Sequence, residues 1–144
     1  MGGGSLSGGG GSGRGLRVDK EEHWLNPLED EDQAALAEYL DTLGVLWCHV
    51  PNGGVRHIAT AKRLKRMGTK KGVADNFIFD PPLEFPEYVG TVIELKRKQG
   101  GKVSAEQERW LEGLRRRGWY TAVCYGVDDA IAMINHLGYG KRRR

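Results

Sequence analysis

The alternation of apolar and polar positions divides the chain into helical and extended segments. Asn26-Pro27 predicts a helix start, with Asn as N-cap and Pro at the first helical position. Leu36, Leu40 and Leu43 then recur at helical spacing, and Gly44 stops the run. Residues 45–50 predict a short apolar strand closed by the turn sequence Pro51-Asn52-Gly53-Gly54. Residues 59–67 predict a short basic helix, with Gly68 and Gly72 bracketing its end, and residues 73–79 a strand that Asp80-Pro81-Pro82 breaks. A further strand is expected at 91–96, before Gly100-Gly101, and a helix at 104–117, where Ser104 and Gln107 have capping-box spacing. Residues 119–125 read as a fourth strand and 127–137 as the last helix. The order α-β-(α)-β-β-α-β-α, without internal repeats, predicts an α/β domain: a central mixed four-stranded sheet flanked by helices.

Composition narrows this to one domain. Nine of the 22 glycines fall in residues 1–15, a stretch that cannot bury enough apolar surface to offset its ordering entropy. Residues 1–22 therefore read as a flexible Gly/Ser-rich tail, linker or expression scar, 23–140 as the folded domain and 141–144 as a basic tail. No apolar run approaches the ~18 residues of a membrane span, and no apolar signal segment opens the chain. Cys48 and Cys124 lack metal spacing and sit in apolar runs, so they read as buried free thiols of a reducing, cytoplasmic compartment.

The net charge of +3 hides a strong polarity. Residues 19–41 hold nine acidic side chains and one basic; residues 51–72 hold seven basic side chains and no acid. More basic clusters follow at Lys96-Arg97-Lys98, Arg115-Arg116-Arg117 and Lys141-Arg142-Arg143-Arg144. Basic groups interleaved with glycines and isolated acids suit a polyanion held against locally placed carboxylates.

Those carboxylates fall on two neighbouring predicted strands. Glu94 and Lys96, two apart, share a strand face with Val92, while Ile93 and Leu95 point into the other layer. If the strands pair antiparallel, Asp75 comes close to Glu94. Two carboxylates and a backbone carbonyl, here that of Leu95, make a hard-oxygen site for Mg²⁺ or Mn²⁺. Such an ion polarises a phosphoryl oxygen and activates water, and Lys96 would stabilise charge developing on the phosphate.

Gly72-Val73-Ala74-Asp75, a proline-broken connection and Gly90-Thr91-Val92-Ile93-Glu94-Leu95-Lys96 resemble the PD-(D/E)xK nuclease signature. Ala74 stands where proline is usual, a mild departure because that proline is no ligand. More specifically, three segments resemble the virus-type replication-repair nuclease (VRR-NUC) domain: residues 49–56 (HVPNGGVR), residues 61–75 (AKRLKRMGTKKGVAD) and residues 101–107 (GKVSAEQ), the last continuing through Trp110-Leu111, Leu114 and Gly118-Trp119. The resemblance spans about residues 28–137. It implies a metal-dependent nuclease of phage, bacterial or larger repair proteins, with stand-alone members expected to form homodimers and to favour branched DNA. By resemblance, Asp75 and Glu94 match the metal-binding carboxylates and Lys96 the catalytic lysine. Glu29, four before Gln33, matches the family's early helical Glu; it also stands three after Asn26, where a capping-box carboxylate would sit. Glu31 and Asp32 are rival acids. Gln107 matches the family's Ser-x-x-Gln and equally suits reciprocal capping with Ser104.

Asn52, Gly53 and Arg56 suit a loop that reads the DNA backbone, with glycine allowing close approach and arginine donating as a fork. Lys62, Arg63, Lys65, Arg66, Lys70 and Lys71 add cations, of which one short helix can turn only some toward DNA. His49 is expected to pack or hydrogen-bond locally and His57 to meet phosphate, with a His/His/Asp metal site as the alternative. Asp80 is expected to start a turn, and Asn76 has no specific role. The alternative is a non-catalytic nucleic-acid-binding module on the same fold; an intact Asp/Glu/Lys set argues against it. A sequence-specific restriction nuclease would need a recognition element for which about 120 foldable residues leave little room.

Overall fold

The computed structural model of the chain describes residues 27–51 and 58–141. In order they form α1 (Pro27–Leu43), β1 (Trp47–His49), α2 (Ile58–Arg66), β2 (Asn76–Ile78), β3 (Gly90–Lys96), α3 (Ala105–Arg115), β4 (Trp119–Tyr125) and α4 (Val127–His136). The sheet order is β1-β2-β3-β4; β1–β2 and β2–β3 are antiparallel and β3–β4 parallel. The parallel pair needs a crossover, which α3 supplies. This is the predicted mixed sheet in the predicted order. Asn26, Asn52, Gly53, Arg56, His57 and the arginines at 142–144 lie outside the described residues.

Two cores clamp the sheet. On one face, Leu36 and Leu40 of α1 and Ala130 and Ile134 of α4 pack against Ile78, Ile93, Leu95, Ala122 and Cys124. On the other, Leu111 of α3 packs against Ala74 and Val92. The middle strand β3 is buried on both sides from Gly90 to Leu95, which explains its nearly continuous apolar sequence. At the end of α1, Gly44 adopts φ +68°, the left-handed conformation that closes a helix. No helix of the described residues is long and apolar enough to cross a membrane.

Two strands are shorter than their sequence pattern. β1 and β2 pair over three residues each, because irregular bonds replace the ladder at both ends. The Phe79 amide donates to the Leu46 carbonyl (2.8 Å), the Val50 amide to the Asp75 carbonyl (2.6 Å) and the Leu46 amide to Asp80 Oδ2 (3.0 Å). Asp80 thus does more than start a turn: its carboxylate anchors the opening of β1. Cys124 is buried and free, as expected, and burial pushes its thiol up to about 12. Cys48 is also free but exposed, contrary to the expectation. It lies on edge strand β1, whose residues are half-buried or exposed.

Asn76 carries a contact that its sequence context does not reveal. It is fully buried and exchanges two hydrogen bonds with Gln33 of α1: Gln33 Nε2 donates to Asn76 Oδ1 (2.8 Å) and Asn76 Nδ2 to Gln33 Oε1 (3.0 Å). The pair ties α1 to the start of β2, one residue from Asp75. Asn76→Ala leaves the Gln33 amide without this partner and should cost ~1–3 kcal/mol in urea unfolding. Gln33→Ala in that background should add much less than it costs alone. Additive losses would show that the pair is not an energetic unit.

Candidate active site

β3 is the spine of the site. The β2–β3 ladder runs to Asn76 opposite Ile93. Beyond it, side chains take over from backbone. The Asp75 amide donates to Glu94 Oε2 (3.2 Å), and the Leu95 amide donates to Asp75 Oδ2 (2.9 Å). The antiparallel pairing thus sets Asp75 against Glu94, as the spacing predicts. Gly72 lets the segment before Asp75 press onto α3. Its φ is +87°, and a Cβ there would lie 2.6 Å from Glu106 Cβ and 2.9 Å from the Gln107 nitrogen.

From α3, Gln107 Nε2 donates to Glu94 Oε1 (2.8 Å). Lys96 shares the Glu94 face, with Nζ 3.5 Å from Glu94 Oε1, and donates to Gln107 Oε1 (2.9 Å). The same Gln107 closes the predicted capping box with Ser104: its Oε1 accepts the Ser104 amide (2.9 Å), and its own amide donates to Ser104 Oγ (3.1 Å). Cap and carboxylate contact coexist in one side chain.

Glu94 is 1% exposed. Burial, and then the neighbouring Asp75 charge, push its carboxyl up to about 8, against a smaller opposing pull from Lys96. Burial also raises Asp75, opposed by the Leu95 amide and by bonding to Glu94. Lys96 thus offers a single positive charge to one buried and one half-buried carboxyl. The donor chemistry, two carboxyls beside the Leu95 peptide, fits a hard divalent cation such as Mg²⁺ or Mn²⁺.

A recess of about 120 Å³ opens here, lined by Glu29, Gln33, His49, Asp75, Leu95 and Lys96 among others. His49 Nδ1 lies 2.8 Å from the Asp75 carbonyl, the local bond expected of it. Glu29 stays at the rim, with its carboxylate 3.6 Å from Arg97 Nε and both side chains 45% exposed. Among the described residues, no three His, Cys, Asp or Glu side chains group closely enough to hold a metal ion. The structure therefore brings together Asp75, Glu94, Lys96 and Gln107 and leaves Glu29 outside that cluster. Lys62, Arg63, Lys65 and Arg66 lie on α2, which buries none of its side chains, and Lys70 and Lys71 follow it, all exposed. Sequence reasoning missed the Gln33–Asn76 pair and the position of Arg97 beside Glu29. A polar Asn directly after Asp75 on a buried face was the available signal for the former.

Both carboxyls titrate higher folded than unfolded, so the folded chain holds more protons than the unfolded one in that range. With EDTA present, the Glu94 contribution should be full below about pH 4.5 and lost as pH rises toward about 8, and that of Asp75 falls in the same direction. Glu94→Gln should flatten this decline in urea midpoints measured across that window. Parallel wild-type and variant curves would contradict the raised carboxyl.

The VRR-NUC domain model matches residues 27–128. A solved structure described as a VRR-NUC domain protein shares the fold, with a TM-score of 0.63 and 24% identity over 77% of this chain and 88% of that one. No curated protein is similar enough to match. The residues around Asp75, Glu94, Lys96 and Gln107 fall within the matched span, and the chain belongs to the VRR-NUC domain family, a family of nuclease-type domains.

Proposed function

We propose that the chain is a divalent-metal-dependent deoxyribonuclease that hydrolyses phosphodiester bonds in branched, flap or junction DNA. The observation that carries this reading is the pairing of half-buried Asp75 with buried Glu94, backed by Lys96 and Gln107, beside a recess that Asp75 and Lys96 line. Asp75, Glu94 and the Leu95 carbonyl would hold Mg²⁺ or Mn²⁺, with Glu29 joining from the rim. Such an ion, when bound, supplies Lewis-acid polarisation of a phosphoryl oxygen and activation of water. Lys96, fixed by Gln107, would present its ammonium to the charge that develops on the scissile phosphate. Gln107 keeps that ammonium from collapsing fully onto Glu94, because its amide bridges the two. The exposed cations of α2, Lys70 and Lys71, together with Asn52, Gly53 and Arg56, would grip the DNA backbone. Family membership supports the nuclease reading; the homodimer, the branched substrate and the cytoplasmic setting rest on the resemblance and on composition.

Single-stranded, duplex, flap, three-way and four-way DNA incubated with Mg²⁺, Mn²⁺ or EDTA test the reading. Cleavage should require the metal and favour branched substrates. Asp75→Ala and Glu94→Ala should each lower cleavage by roughly 100-fold or more, and Lys96→Ala by a similar factor, with junction binding kept within about threefold. Wild-type cleavage by either carboxylate variant would sink the site assignment. A wild-type protein that binds junctions with metal present and never cuts them would instead be the non-catalytic module.

A further inference from the structure

Trp110 sits on α3, three residues after Gln107, yet it belongs to neither core cluster of the described residues. It is half-buried and walls a recess of about 390 Å³ with Arg109, Gly113, Leu114 and Arg117. The occupants of a recess can be argued from its walls. Here they are one indole, one leucine and two guanidinium groups, with no carboxylate among them.

Gly113 supplies an independent observation. A glycine inside a helix is destabilising relative to alanine, so its presence asks for a reason. Neither backbone conformation nor crowding gives one: its φ is not positive, and an added Cβ would meet only Arg117 Nη1, at 3.7 Å. Gly113 does keep the floor beside Trp110 open. The charges differ in availability too. Arg115 and Arg116 are both engaged by Glu112, at 2.5 Å and 3.0 Å. Arg117 instead donates to the Gly113 carbonyl (2.9 Å), and Arg109, 75% exposed, is only loosely near Glu106 at 3.9 Å.

We propose that this recess binds single-stranded nucleic acid, with an unpaired base stacked on Trp110 and flanking phosphates met by Arg109 and Arg117. An aromatic platform between cations is the chemistry that holds a strand without reading its sequence. The placement deepens the nuclease reading and rests on it for direction. Trp110 lies only ~5 Å further along the helix axis than Gln107, and Gly113 ~9 Å. A strand leaving the carboxylates can therefore run down α3, which makes the unpaired arm of a branched substrate the part recognised here.

The test is binding of a fluorescein-labelled oligothymidylate and of a hairpin duplex to the full chain in EDTA, read by anisotropy. Trp110→Ala and Gly113→Leu should each weaken oligothymidylate binding by about 5-fold or more, while hairpin affinity stays within about twofold. Trp110→Phe should bind like the wild type, and Gly113→Ala should fall between the wild type and Gly113→Leu in oligothymidylate binding while raising the melting temperature. Circular dichroism and melting of each variant report folding. Unchanged oligothymidylate binding in Trp110→Ala and Gly113→Leu, or equal loss on the hairpin, overturns the proposal. So does a change of sedimentation coefficient in the variants, which would make the recess an interface between copies. Because the assay holds no metal, it stands apart from cleavage. Normal strand binding with failed metal-dependent cleavage would refute the nuclease reading and leave the recess; the reverse would refute the recess alone.

Discussion

A carboxylate in the middle of a buried strand is the constraint to which the rest of the structure answers. β3 is enclosed on both faces, and Glu94 stands on it with 1% of its surface exposed. A buried charge without partners costs several kcal/mol, so the surroundings must supply bonds to it. Three elements do: the Asp75 amide at the start of β2, Gln107 on α3 and Lys96 on β3 itself. Asp75 then adds a second carboxyl. Two like charges about 4 Å apart repel by about 4 kcal/mol at an effective dielectric of about 20. One lysine opposes this only in part, and burial first, then the Asp75 charge, leave the Glu94 carboxyl raised.

The architecture follows from bringing those partners to one point. The site forms where the start of β2, the end of β3 and the first turns of α1 and α3 converge. Gly72 allows the approach to α3 because any side chain there would strike Glu106. The Gln33–Asn76 pair fixes α1 beside the opening of β2. The capping box of α3 is part of the same network, since the Gln107 oxygen that accepts from Ser104 also accepts from Lys96. Helix termination and site assembly share atoms here, which leaves little freedom to move one without the other.

Much of this was legible in the sequence, for reasons that differ between elements. β3 and β4 declare themselves by long apolar runs, and α1 by its leucine spacing. The Asp75–Glu94 encounter follows from strand alternation once antiparallel pairing is assumed, and the pairing is observed. What stayed hidden depends on three-dimensional neighbours. Asn76 looks idle until α1 delivers Gln33 to it. Cys48 reads as buried because its run is apolar, whereas it is exposed on an edge strand paired on one side only among the described residues. The placement of Glu29 turns on Arg97, which lies 68 positions away in the chain.

The charge distribution connects the buried constraint to the surface. Two carboxyls alone would repel a phosphodiester, so a site built on them must restore positive potential at close range. At physiological ionic strength the screening length is about 8 Å, so exposed cations act only on what passes near them. Lys96 acts inside the site, held by Gln107. The N-terminus of α3, capped by Ser104, adds the positive end of its helix dipole beside it. Farther out, the cations of α2 stand exposed with none of their helix buried, a placement that contributes nothing to the cores and leaves the charge free to meet a backbone. A formal charge of +3 is therefore a poor descriptor of this molecule. Part of its negative charge lies at half-buried Asp75 and buried Glu94, with Lys96 beside them, while the cations of α2 stand exposed on their own helix. Such a division suits a polyanion, which exposed cations can hold while a lysine offsets the carboxyls it must approach.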